Sequence, residues 1–426
     1  MDALPLETLQ RIFTLACTDD GHTGNALSLV SKSVRAASRT ARFHTVSLIA
    51  NPRRLETFLA LYERECSLEA EGGSDKPHIR HLYATFPRID GTRQRPRLSY
   101  YTTSLSPPPR GREGQHGRNR RSSDSVDSDS EPDALPDEQR DLFELELEYE
   151  AEMILEKSAG SRGRRPRKDA VLSDPSYHAA ARRLFELVAP DLWTLVLQSG
   201  FRYGGPLGIP LFAAPFPALR SLTIAELTSP SSLFADGASG AVQDANQGSL
   251  LPALTHLHLL PYDHDFQLEM WAARAPRVTH LRISGQTGDL DQLARAVGVA
   301  RPPVPRGRHP SPIVNVWRAV TDQLLPPAPP PPPPPALFPQ LQCLLVQPGP
   351  PPPAVGFCGT PLVEYDQALQ ELDRFVETCR TAGKQVIALS PRKQENGRVH
   401  LEEVRKEWLE VVSEAGAGAW ARCARD

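Results

Sequence analysis

The sequence lacks long hydrophobic runs and paired cysteines. No stretch of 18 consecutive apolar residues occurs in its 426 residues, so no transmembrane helix is predicted. Its six cysteines are scattered without a C-x-x-C pair, which indicates neither a disulfide framework nor a zinc site. A reducing compartment, the cytoplasm or the nucleus, is therefore the expected setting. Charge at Asp2 breaks the apolar pattern of the N-terminus, so a signal peptide is not expected.

An excess of one charge and a recognisable catalytic pattern are also missing. With 48 basic and 51 acidic side chains the net charge is −3, so no global field favours nucleic acid. There is no G-x-S-x-G motif, and the glycine-rich stretch 200–208 lacks the Lys-Ser/Thr of a Walker loop. His256, His258 and His264 could be metal ligands, but no further ligand at a fixed spacing supports that hypothesis. We expect no catalytic residue, metal or cofactor, and a chain that is not an enzyme.

Proline is the residue in excess. The chain has 43 prolines, about twice the usual fraction, and many of them lie in low-complexity segments. Residues 87–175 alternate basic and acidic blocks, and residues 302–336 end in a polyproline run. Such compositions cannot bury enough apolar surface to fold, so two disordered insertions are predicted. Within the first, residues 137–157 fit a helix, and the alternation at 144–150 also fits a strand. The basic block 162–168 could be a nuclear-localisation signal or a plain linker.

The N-terminus has a helical pattern. Pro5 suits the first turn of a helix, and the apolar residues Leu9, Ile12, Phe13 and Ala16 follow at helical spacing. A polar stretch at 17–24 ends that helix. We expect a second helix, capped by Asn25, with an apolar side formed by Leu27, Val30, Val34 and Ala37. Helices of this size bury too little surface to be stable alone, so their apolar stripe needs the rest of the chain or a partner.

These residues resemble the F-box, a helical module that docks on the SKP-type adaptor of SCF (cullin–RING) ubiquitin ligases. The resemblance covers residues 1–48, through Leu4-Pro5-x-Glu7-x-Leu9-x-x-Ile12-Phe13 and then Leu29-Val30-Ser31-Lys32-Ser33-Val34-Arg35. Val34 stands where the family usually has Trp. The resemblance implies adaptor contacts for Leu4, Pro5, Leu9, Ile12, Phe13, Val30 and Val34. The alternative interpretation is a helical cap of a larger domain.

An octet, Pro-x-Φ-x-x-Leu-x-Φ with Φ aliphatic, occurs six times. It begins at Pro77, Pro190, Pro217, Pro252, Pro276 and Pro339. Three consecutive intervals are 27, 35 and 24 residues, and the other two, 113 and 63, contain the insertions. The pattern resembles a leucine-rich repeat, in which each octet adds a strand to a parallel sheet. The Asn that normally follows the strand is absent, so the repeat should be irregular. A generic α/β domain with parallel strands is the alternative.

Strand alternation separates two faces in this prediction. The octet Leu and the last Φ point inward, while the flanking residues line the outer face, where repeat proteins bind partners. The predicted substrate-binding residues are His81, Tyr83, Thr194, Thr223, His256, His258, His280 and Arg282. The alternative is a sheet face covered by one of the insertions.

The C-terminal part again has periodic structure. A helix at 362–381, a strand at 386–389 and a helix at 400–414 are predicted, with Trp420 packing the tail. They resemble the C-terminal cap of fungal-type F-box repeat proteins and would cover the open end of the repeat domain.

Together these patterns predict an α/β chain with six parts. They are an F-box-like module at 1–48, a first repeat-like helix and strand at 49–86, the insertion at 87–175, a repeat-like domain at 176–301, the insertion at 302–336, and a last repeat with its cap at 337–426. The expected function is the substrate-recognition subunit of an SCF-type ubiquitin ligase. Its expected partners are the SKP-type adaptor, a cullin and an unknown protein substrate, with neither nucleic acid nor membrane. A protein-interaction scaffold without a ligase role is the alternative.

Overall fold

The structure is a computed structural model that describes residues 4–19, 21–67, 76–86, 175–199, 209–225, 230–234, 249–260, 266–285, 289–300, 334–352, 360–391 and 399–413. All of them belong to one compact unit made of residues 1–89 and 169–426. The predicted insertions at 87–175 and 302–336 lie outside the described residues, except for residues 175 and 334–336. The predicted helix at 137–157 and Trp420 also lie outside them.

The centre of this unit is a parallel sheet of eight strands whose spatial order is the chain order. The strands are β1 Thr45–Ile49, β2 His81–Phe86, β3 Thr194–Ser199, β4 Ser221–Ala225, β5 His256–Leu260, β6 His280–Ser284, β7 Cys343–Gln347 and β8 Gln385–Ala388. The described residues also form nine α-helices: α1 Leu6–Ala16, α2 His22–Val30, α3 Lys32–Arg42, α4 Pro52–Ser67, α5 Pro175–Val188, α6 Leu268–Arg274, α7 Leu290–Val297, α8 Thr360–Thr381 and α9 Val399–Val412. The predicted α/β class is confirmed.

Each of the six octets leads into one of the strands β2 to β7, and the octet leucines are aligned across the sheet. The octet leucines Leu82, Leu195, Leu222, Leu257, Leu281 and Leu344 are consecutive partners in the parallel register. Each is at most 1% exposed. A parallel strand in register keeps every second side chain on one face, so the aligned leucines form a continuous buried row. The predicted inward direction of the octet Leu is confirmed.

The inner face of the sheet packs against helices. The main core joins this leucine row to apolar residues of α4, α5, α6, α7 and α8, including Leu55, Phe185, Trp271, Leu293 and Phe375. Local signals define two of these helices. The Asn51 side chain accepts a hydrogen bond from the Arg54 N–H at 2.7 Å, which caps α4 as an N-cap asparagine should. Gly383, with φ +70°, follows the end of α8, as predicted.

The N-terminal residues form three helices with a small core of their own, and the segment predicted as a second helix is divided between α2 and α3. Phe13, Cys17, Val34, Ala37 and Ala41 make up that core. The predicted cap at Asn25 is wrong, because α2 begins three residues earlier and Asn25 lies inside it. The backbone breaks again at Ser31, whose side chain accepts a hydrogen bond from the Val34 N–H at 3.1 Å and so begins α3.

The C-terminal elements separate onto the two faces of the sheet. Strand β8 pairs with β7 at the edge, and α8 packs into the main core. Helix α9 lies on the opposite face, where Val404, Trp408 and Val412 form a second apolar cluster with residues of β2 to β5. The prediction that this final segment covers an open end is therefore wrong for α9, which covers the outer face instead.

Candidate functional site

The N-terminal segment leaves six large apolar side chains exposed, and this set of residues is here called the apolar row. Its members are exposed by 45% or more: Leu4, Leu6, Ile12, Leu15, Leu29 and Val30. Leu29 and Val30, at 79% and 66%, are the end of α2, and Leu15, at 69%, is near the end of α1. Large apolar side chains that remain exposed on so small a module are candidates for contact with a partner.

The structure divides the seven predicted adaptor residues into two groups. Leu4, Ile12 and Val30 belong to the apolar row, and Pro5 is also exposed. Phe13 and Val34 are 4% and 8% exposed, and they belong to the core of the module. Leu9 is partly buried against that core. As placed in this structure, Phe13 and Val34 stabilise the module and are not available for contact with a partner.

Sequence reasoning missed Leu6 and Leu15 because it assigned α1 one apolar face, and it did not single out Leu29 on α2 as a contact residue. Leu9, Phe13 and Cys17 recur at intervals of four and point to the module core. Ile12 and Leu15 are apolar as well but lie off that stripe, and both are exposed. A helix with apolar residues outside its packed stripe has surface left for a second contact, and this was the available signal.

All eight predicted substrate-binding residues lie on the outer face of the sheet, since each alternates with an inward residue. Yet Tyr83 and His258 are 4% exposed and Arg282 is 3% exposed, while His81 and Thr194 are nearly as buried. Thr223, His256 and His280 are half-buried. The prediction of an open surface is therefore wrong for Tyr83, His258 and Arg282, because helix α9 covers this part of the outer face. Their role in binding a substrate remains a prediction.

The aromatic part of this contact centres on Trp408 of α9. Its ring centroid lies 5.3 Å from that of Tyr83 on β2. Its indole Nε1 donates a hydrogen bond to the Thr194 hydroxyl on β3 at 3.2 Å. Thr194 also contacts His81, with 2.9 Å between its hydroxyl and Nδ1 of the imidazole. Trp408 is thus buried with its polar atom satisfied, as expected of an aromatic anchor.

The charged part of the contact joins Arg282 of β6 to Glu407 of α9. The two guanidinium Nη atoms each donate to one carboxylate oxygen, both at 2.9 Å, which is a bidentate pair. Gln347 on β7 holds the same guanidinium, because its Oε1 accepts from Nη2 at 2.9 Å. Ser284 donates to that oxygen at 3.1 Å and also contacts His258 Nε2 at 2.9 Å. The outer face therefore carries a connected polar network that ends on a carboxylate.

Histidines form a second feature of the outer face, where the strands begin. Burial lowers the pKa of His81 to about 3, with His44 and Arg80 as further causes. Burial and the neighbouring His280 lower the pKa of His256 to about 4. These imidazoles are therefore neutral near pH 7. Among the described residues there is no group of three or more His, Cys, Asp or Glu that could hold a metal ion.

Two further sequence predictions can be compared with the structure. Cys343 on the outer face is disulfide-bonded, a bond that the scattered spacing of the cysteines did not predict. Cys17, Cys66 and Cys379 are free thiols. None of the helices in the described part of the chain is long and apolar enough to cross a membrane.

Comparison with known proteins adds no relative to this description. No protein-family model, no curated protein and no solved structure matches the chain.

Proposed function

We propose that this chain is the substrate-recognition subunit of an SCF-type ubiquitin ligase. The N-terminal helices would bind the SKP-type adaptor and so a cullin, and the sheet domain would bind a protein substrate. The ubiquitin-conjugating enzyme recruited by the complex would perform the chemistry. The observation that carries the proposal is the apolar row, which remains exposed after the module has buried its own core.

Half of the apolar row coincides with adaptor contacts that the sequence resemblance implies. Leu4, Ile12 and Val30 belong both to the F-box-like pattern and to the exposed row. Exposed apolar side chains in water are unfavourable by about 25 cal/mol per Å², and a partner that covers them recovers this free energy. A partner with an apolar groove, as the resemblance implies for the adaptor, suits this row.

The sheet domain supports the second half of the proposal. Eight parallel strands in chain order, six of them built on one octet, suit an irregular leucine-rich-repeat-like domain. Such domains present one sheet face to protein partners. We therefore propose that the sheet domain is such a repeat domain and that its outer face binds the substrate.

The test is co-purification of the SKP-type adaptor and cullin with variants of the full chain. Leu15→Asp with Val30→Asp places two charges in the apolar row without touching the module core. Their burial against a partner would be costly, so we expect adaptor capture to fall at least tenfold. The matched control is Leu362→Asp with Val363→Asp on α8, where the residues replaced are 47% and 53% exposed. The control should capture adaptor as the unchanged chain does.

Two outcomes would contradict the proposal in different ways. Equal capture of the adaptor by both variants would show that the apolar row is not its binding site. Capture of proteins other than adaptor and cullin through the row would favour the alternative, a scaffold without a ligase role. Circular dichroism of both variants shows whether the helical module remains folded.

A further inference from the structure

Helix α9 is packed on the outer face through a contact that is separate from the main core. Val404, Trp408 and Val412 form a cluster with Tyr83, Val196, Ala225 and Leu260 that is distinct from the cluster on the inner face. These three residues of α9 recur every four positions, which is one stripe of a helix. The outer face is thus occupied by an amphipathic helix that presents a narrow apolar stripe.

The outer face also carries a cation, Arg282, that pairs with a carboxylate of this helix. Arg282 is 3% exposed, and the one carboxylate that pairs with it among the described residues comes from α9. The Nε atom of Arg282 has no hydrogen-bond partner among the described residues. Gln347 holds the guanidinium from the sheet side, so its position does not depend on α9 alone. Without α9, the face would present a positioned cation next to an apolar strip.

The fit between α9 and the face is incomplete. A small cavity remains between them, lined by Thr223, His258, Arg282, Glu407 and Trp408 among others. The cavity shows that α9 does not fill this part of the outer face completely. Glu407 also keeps 31% of its side chain exposed. Both observations suit a contact that can open.

We propose that α9 is an internal ligand of the outer face, and that it is displaced by a helical segment of a partner protein with the same chemistry. That segment carries a carboxylate directly before an aromatic residue, with aliphatic residues four positions before and after the aromatic one. It binds by laying its apolar stripe on the face and pairing its carboxylate with Arg282, a helix-on-groove contact. We identify this partner as the substrate, and this identification alone rests on the proposed function.

The test measures binding of a fluorescent peptide of residues 399–413 to the full chain by anisotropy. In the unchanged chain the attached α9 competes at an effective concentration that reaches the millimolar range for short linkers. Trp408→Ala in the chain weakens the attached helix and leaves the sheet unaltered. We therefore expect the W408A chain to bind the peptide at least tenfold more tightly than the unchanged chain.

Charge reversal tests the contact itself. Adding Arg282→Glu to the W408A chain should weaken binding of the peptide at least tenfold, and a peptide with Glu407→Arg should restore it. The matched control peptide carries Glu410→Arg, which reverses a nearby charge that has no side-chain contact with the sheet in the described structure. It should bind the W408A chain like the original peptide and should not restore binding to the R282E chain.

Binding of the peptide to a folded W408A chain that is no tighter than to the unchanged chain would overturn the inference. So would equal rescue by both charge-reversed peptides. If Trp408→Ala prevents folding, hydrogen exchange of the unchanged chain decides: amides of α9 should exchange faster than those of β5 and β6, and equal rates would overturn it. Because no adaptor is present, failure here and failure of adaptor capture by the apolar row are separate results.

Discussion

His256 and His280 stack face to face on neighbouring strands, with ring centroids 4.5 Å apart and planes 10° from parallel. A threonine precedes each, and its hydroxyl lies 2.9 Å from the Nδ1 of the following imidazole. Protonation of both rings would place two positive charges in contact. Burial, and for His256 the neighbouring ring, accordingly lowers the pKa of His256 to about 4 and also lowers that of His280.

The first prediction is a loss of stability in mild acid. An unfolded histidine binds a proton below about pH 6.5, whereas folded His256 does so only below about pH 4. Between these values the unfolded state holds more protons, so the free energy of unfolding should fall as the pH falls. The slope is at most about 1.4 kcal/mol per pH unit for each histidine. Above pH 6.5 the contribution is fully present.

Urea unfolding at pH 7.5, 6.0, 5.0 and 4.5 measures this effect. The comparison variant replaces His256 and His280 by Asn, which keeps polar side chains but removes the titration. We expect its free energy of unfolding to decrease less across the series than that of the unchanged chain. Parallel curves would show that the stacked pair does not contribute.

A second prediction concerns the two faces of β6. Leu281 is fully buried in the leucine row, so Leu281→Ala should destabilise the domain by about 2–5 kcal/mol. Arg277, exposed and just before the strand, is the control, and Arg277→Ala should cost less than about 0.5 kcal/mol. Thermal and urea unfolding of both variants measure the difference.

The loss of stability caused by Arg282→Ala should lie between the losses caused by Leu281→Ala and Arg277→Ala. The sequence alone predicts a surface substitution with little effect, but the side chain is buried and paired with Glu407. Loss of hydrogen bonds to a charged group costs about 1.5–3 kcal/mol. A free energy of unfolding equal to that of Arg277→Ala would show that α9 does not rest on this residue in solution.

A third prediction separates core from surface within α1. Phe13→Ala removes a ring that is 4% exposed, so the stability of the N-terminal helices should fall by about 3–5 kcal/mol. Leu15→Ala alters a side chain that is 69% exposed, and it should change stability by less than about 0.5 kcal/mol. Hydrogen exchange of the amides in α1 to α3 is the suitable measurement, because a small module can open without unfolding the sheet. Similar protection in the two variants would contradict the placement of Phe13.

A fourth prediction compares two glycines at helix C-termini. Gly298 and Gly383 have nearly the same backbone angle, φ +72° and +70°. A Cβ at Gly383 would meet nothing within 4 Å, whereas a Cβ at Gly298 would lie 2.9 Å from the Cβ of Ala336. Gly383→Ala should therefore cost about 1–2 kcal/mol of left-handed strain, and Gly298→Ala clearly more. Equal melting temperatures would show that Ala336 can move aside.

The strands and their register could be predicted from local pattern. Each octet contains a period-two alternation around one leucine, and a one-residue slip would place that leucine on the opposite face. This penalty is local to each strand, so it can be read without knowing the contacts. The predicted register is kept between β2 and β3, although their paired residues His81 and Thr194 are 113 positions apart. The helix caps at Asn51 and Gly383 are local signals of the same kind.

The direction of each apolar stripe could not be predicted in this way. The residues Leu9, Ile12 and Phe13 are all apolar, and apolar attraction has no direction, so the pattern does not separate core from exposed surface. Only the packing of α1 on α3 places Phe13 inside and Ile12 outside.

For the same reason, the position of α9 could not be predicted from the sequence. Its apolar stripe at Val404, Trp408 and Val412 suits the end of a sheet or a face of it equally well. The sequence by itself determined that this helix exists and which side of it is apolar. Its place was decided by the tertiary structure, through Arg282 and Glu407, which are 125 positions apart and pair only because the sheet and the helix bring them together.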